Sequence, residues 1–252
     1  MNTTSRHSTP TPTPVSVARR LTLGASWPLL AGFWLTYALL IIVLEVMSID
    51  QLSGEYSLVS LTRSATVWFP LVLSLITSIR AFVPLLVAGG TRKSYIRATL
   101  LTLATTTLVN TAALLTLLAL EVALVSSRSG IVPHLNDQPL NISPDQMSSY
   151  LITGFMTFPG FLGAGVSGLL LGAIILRWGR TWQTWLSAPL CLLPVILSFL
   201  LNTGFAQNYW IIAVILAFLV SGLGMLRYAK IIGNTPIRPL AIRPKNERFP
   251  PA

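Results

Sequence analysis

ATLLTLATTTLVNTAALLTLLAL (98–120) carries no charged side chain between Arg97 and Glu121. An uncharged run of this length exceeds the roughly 18–20 residues that a helix needs to cross about 30 Å of hydrocarbon. A helix is the form such a run must take in lipid, because it satisfies its backbone N–H and C=O groups within one segment. The run is rich in threonine (Thr99, Thr102, Thr105, Thr106, Thr107, Thr111, Thr116) and holds Asn110 near its middle. Such hydroxyls bond back to carbonyls of their own helix or across to a neighbour.

The same reading extends along the chain. Of 252 residues, 53% are hydrophobic and only 10% charged, and the mean hydropathy is +0.71. So few polar side chains cannot cover a water-soluble globule of this size. The expected fold class is all-α: a polytopic membrane protein whose six transmembrane helices cover about 27–48, 65–80, 98–120, 150–176, 185–201 and 209–226. Together they form one transmembrane domain, 27–228. The Thr-, Ser- and Pro-rich residues 1–26 are expected as a disordered cytoplasmic tail, with the first span uncleaved. Arg80 is expected to close the second span by reaching the headgroups. Residues 81–98 then read as a Pro- and Gly-broken, partly interfacial helix between spans two and three. Pro189 and Pro194 predict a kink in the fifth span, and 229–252 reads as a basic, Pro-rich cytoplasmic tail.

Charge sets the orientation. The net charge is +10, yet the basic residues sit in short segments between apolar runs, so they suggest a lipid surface and not nucleic acid. All Lys and Arg except Arg63 and Arg128 fall in alternate segments. The positive-inside rule places those segments in the cytoplasm, giving N-in and C-in. A cell membrane, prokaryotic in character, is the expected location.

No catalytic or energy-coupling site is expected. Gly165-Val166-Ser167-Gly168 echoes the serine motif of rhomboid proteases, but a nucleophilic serine needs a base, and the histidines, His7 and His134, fall in a tail and an outer loop. Gly89-Gly90-Thr91-Arg92-Lys93-Ser94 lacks P-loop spacing. The single cysteine, Cys191, forms no intrachain disulfide. No cofactor or metal is expected, and no carboxylate pair sits mid-membrane as an ion relay needs. Glu45 and Glu121 read as helix ends at the outer headgroups. Gly160, Ala164, Gly168 and Gly172 recur every four residues and should let two helices approach closely.

FVPLLVAGGTRKSYIRATLLTLATTTLVNTAALLTLLALE (82–121) resembles membrane subunits of ATP-binding-cassette exporters of the type-2 permease kind, through Gly90, Thr91, Arg92, Lys93, Tyr95 and Glu121. GLLLGAIILRWGR (168–180) is similar to a Gly-rich span of the same group, and the likeness covers about 27–228. It implies a permease subunit paired with a copy of itself or a second permease, and with a separate ATPase. The ATPase would dock on Gly90, Thr91, Arg92, Lys93, Tyr95 and Arg97, and substrate would move along the third and fourth spans. Those charges also suit lipid phosphate. The competing expectation is a non-transporting assembly or regulatory subunit of an envelope complex.

Overall fold

The computed structural model describes residues 14–47, 58–129, 147–179, 187, 189, 191–196 and 210–235, all helix or tight turn. The long helices are α1 (Pro14–Met47), α2 (Leu58–Val87), α3 (Arg92–Ser129) and α4 (Met147–Trp178). A short helix α5 (191–196) and α6 (Trp210–Gly233) follow. Five helices are long and apolar enough to cross a membrane, the character of a multi-pass membrane protein. The outer surface agrees, since Leu35, Ile212 and Leu226 are 72%, 62% and 70% exposed. Large apolar side chains turned outward on this scale require a solvent of lipid.

α4 is the central element. Its most apolar window is 83% buried, against 22% for α1 and 28% for α6. Glycine explains how it fits. A Cβ on Gly168 would collide with the Leu71 carbonyl of α2, and one on Gly172 would stand 2.7 Å from Ser78 Cβ. Ala164 and Gly160 are also buried on α4. Without a hydrophobic drive between helices in lipid, this backbone proximity supplies the dispersion contact that joins α2 to α4.

Two buried clusters mark the two ends of the bundle. One gathers Ala18 of α1, Phe82 and Leu85 of α2, Tyr95 of α3, Ile174 of α4, Cys191 of α5 and Tyr228 of α6. The other contains Leu30, Trp34, Val59, Leu118, Phe161 and Val195, beside Phe33 stacked on Phe69 at 3.9 Å. Successive helices therefore alternate in direction. The N-terminal end of α1 and the C-terminal end of α6 meet at the first end, where Arg19, Arg20, Arg92, Lys93, Arg97, Arg177, Arg227 and Lys230 also lie along the chain.

Several expected boundaries are corrected. Residues 14–26 are not a tail: α1 starts at Pro14, because Ala18 and Thr22 are fully buried in the bundle and tertiary packing sustains the extra turns. The interfacial helix expected over 81–98 does not form. α2 runs past Arg80 and through Pro84 to Val87, and α3 opens at Arg92, since a proline in a packed transmembrane helix forfeits only local backbone bonds. α3 continues beyond Glu121 to Ser129, and α6 reaches Gly233 beyond the expected tail boundary. At about 1.5 Å per residue, the 34 residues of α1 and 38 of α3 outrun a hydrocarbon core of roughly 30 Å. Most of the fifth span, residues 1–13, 130–146 and 236–252, and with them His7 and His134, lie outside the described residues.

Gly168→Ala should lower stability by about 1–3 kcal/mol, because the intruding methyl meets backbone that no rotamer change can clear. Gly222→Ala, which meets nothing within 4 Å, should leave the thermal midpoint in detergent unchanged or slightly raised.

Candidate functional site

The corner between α2 and α3 is built from two helix-end devices in immediate succession. Gly90 N–H donates to the Leu85 carbonyl at 2.9 Å and Gly89 N–H to the Leu86 carbonyl at 3.1 Å, with Gly89 at φ +79°. These bonds close the last turn of α2 around a left-handed residue that glycine adopts without steric cost. Gly90 packs so closely that an added Cβ would lie 2.6 Å from Leu85 Cγ. Thr91 then caps α3. Ser94 N–H donates to Thr91 Oγ1 at 3.1 Å, and Thr91 N–H donates to Ser94 Oγ at 3.0 Å. This is a reciprocal capping box with serine in place of the usual Glu or Gln.

The six candidate docking residues therefore divide. Tyr95 is fully buried and donates its hydroxyl proton to the Ser78 carbonyl at 2.7 Å, with its ring edge-on to Phe82. Arg92 donates from Nη1 to the Gly233 carbonyl at 2.8 Å, placing a cation on the last carbonyls of α6 where the helix dipole favours it. Gly90 shapes the turn, whereas Thr91, Lys93 and Arg97 are exposed. Lys93 and Arg97 are four residues apart and share a helix face.

A polar seam runs inward from this corner. Tyr95, Thr99, Thr102, Thr106 and Asn110 recur at three- and four-residue steps on α3, and all are buried. Thr102 Oγ1 lies 2.8 Å from Thr22 Oγ1 of α1, while Thr99 and Thr106 donate to the Tyr95 and Leu103 carbonyls. Trp34 Nε1–H of α1 donates to Asn110 Oδ1 at 2.7 Å. Thr107 Oγ1, Asn110 Nδ2 and Ser221 Oγ are buried without a hydrogen-bond partner among the described residues. Each such group costs about 1–3 kcal/mol if it stays dry.

Two residues serve ends the sequence did not suggest. Glu121 is 2% exposed and accepts from the Val59 N–H at the start of α2, at 3.2 and 3.4 Å to its two oxygens. It caps a neighbouring helix and does not end its own. Ser167, the serine of the rhomboid-like motif, accepts from the Val195 N–H of α5 at 3.2 Å. Gly89, Ser94, Ser78, Tyr228 and Thr22 also escaped the sequence reading. Gly-Gly-Thr before a charged pair was the available signal for the first two, since it reads as helix stop followed by helix start.

The chain matches no protein-family model, no curated protein and no solved structure.

Thr91→Ala should cost about 0.5–2 kcal/mol through loss of the cap. Gly89→Ala should cost about 1–2 kcal/mol through left-handed strain. Both would appear as lower thermal midpoints in detergent, with Thr91→Ser close to wild type.

Proposed function

We propose that the chain is the membrane-spanning permease subunit of an ABC-type exporter, driven by a separate ATPase. The observation that carries this reading is the braced α2–α3 corner, which presents Lys93 and Arg97 on one exposed face. Arg92 ties the corner to α6 and Tyr95 ties it to α2. A soluble partner pressing on the exposed face would move three helices together, which suits rigid-body coupling. On this reading the end rich in basic residues faces the cytoplasm of a prokaryotic cell, α5 belongs to a sixth span, and both termini are inside.

The interior constrains the route. The hydroxyl-lined cavity between α1, α2, α3 and α4 is only about 10 Å³, too narrow for any substrate larger than water. We place the route between two subunits, a copy of this chain or a second permease, with the Thr-rich α3 and Gly-rich α4 holding each half rigid. The narrowness of this cavity also suits a second reading, a non-transporting assembly or regulatory subunit of an envelope complex. Such a subunit needs no passage at all.

Affinity purification in mild detergent, followed by ATPase assay, separates the two. The permease reading expects a nucleotide-binding protein to co-purify, and expects Lys93→Ala with Arg97→Ala to abolish its recovery and stimulation while the thermal midpoint stays unchanged. Repeated recovery of other envelope proteins without any nucleotide-binding protein would favour the assembly reading instead.

A further inference from the structure

We propose that the cavity between α1, α2, α3 and α4 is a binding site for one neutral water molecule, held by serine and threonine oxygens. Ser26, Ser74, Thr77, Thr99, Thr102 and Thr106 line it, and its volume of about 10 Å³ matches a single water.

The hydrogen-bond sense of the lining selects the occupant. A hydroxyl has one proton to give and two lone pairs to receive. Ser26 gives its proton to the Leu23 carbonyl, Thr77 to Leu73, Thr99 to Tyr95 and Thr106 to Leu103, at 2.8–3.1 Å. Thr22 Oγ1 lies 3.1 Å from the Ala18 carbonyl and 2.8 Å from Thr102 Oγ1, and either hydroxyl of that pair can be the donor. With four of the six lining hydroxyl protons given to carbonyls, the wall offers chiefly lone pairs, which suits a ligand that donates.

Such a wall disfavours a carbonyl, an anion and a methyl group. A bare cation would meet oxygens, but no carboxylate lines the cavity, and uncharged hydroxyls do not offset desolvation of a charge inside a lipid-embedded bundle. Water brings two protons for the wall and lone pairs that can receive the Ser74 hydroxyl. The seam is also unsaturated beside it. Thr107 Oγ1 and Asn110 Nδ2 lie just past Thr106 on α3, each buried without a partner among the described residues. A water here bridges helices through bonds nearly as favourable as direct ones.

Synchrotron hydroxyl-radical labelling of the purified full-length protein in detergent, read residue by residue by mass spectrometry, tests the proposal. Water activated inside the cavity should oxidise the lining Leu73 and Leu169 several-fold faster than Leu30 and Leu85, all four being 2% exposed. Ser74→Val, which fills the space, and the isosteric Thr102→Val should each reduce that labelling. Wild-type labelling of Leu73 and Leu169 no faster than that of Leu30 and Leu85 would overturn the proposal, whether or not either variant folds. A thermal midpoint that rises saturably when sodium replaces choline, and loses that rise in Thr102→Val, would also overturn it by identifying the occupant as a cation.

Discussion

In lipid, two apolar helices gain nothing by hiding from solvent, because the acyl chains are as apolar as leucine. What remains is contact at short range, and its closest expression here is the approach of α4 to α2 at Gly168, where glycine leaves room for the Leu71 carbonyl. Every other contact of α4 depends on that seating. Its opposite side receives Gly224 of α6, where an added Cβ would lie 2.5 Å from Val166 Cγ1. α4 is thus held on both sides by glycine contacts, one using its own glycines and one using those of a neighbour.

Hydroxyl groups add a second layer of order. Thr99, Thr106 and Thr111 bond back within α3, so the polarity of the helix costs it little and its inward face stays compact. Among the described residues, bonds that cross between helices include Thr22 with Thr102, Trp34 with Asn110 and Tyr95 with Ser78. Van der Waals contact brings the helices together nonspecifically, whereas these crossings are satisfied in one register alone. Glu121 does the same at the opposite end by receiving the Val59 N–H in the first turn of α2.

The existence of the long helices was legible because residues such as 98–120 are uncharged over a membrane's thickness, and a helix is the form in which one segment satisfies its own backbone groups in lipid. Their ends were not. α1 starts well before Trp27 because Ala18 is buried in the bundle and Thr22 meets Thr102 of α3, a fact of tertiary packing invisible in a local window. Gly89 to Ser94 read as part of one Pro- and Gly-broken interfacial segment over 81–98, since proline and glycine weigh heavily in pattern reading, while the capping bonds that make it a sharp turn depend on geometry. The spacing of Gly168 and Gly172 revealed a close-packing face but not that α2 would fill it. Glu121 and Val59 are 62 residues apart, so their pairing left no trace in sequence order. Of the docking candidates, residue type alone could not separate the buried Tyr95 and the tethered Arg92 from the exposed Lys93 and Arg97.

The link from Arg92 to the Gly233 carbonyl has a consequence for biosynthesis. Ribosomes deliver the amino-terminal helices first, so α2 and α3 can form their hairpin, with Tyr95 already on Ser78, long before α6 leaves the tunnel. During that interval the guanidinium of Arg92 has no acceptor on α6. Arrival of the last helix supplies one, so this contact registers that synthesis has progressed as far as Gly233. A chain halted earlier would lack this tie between the corner and the last helix.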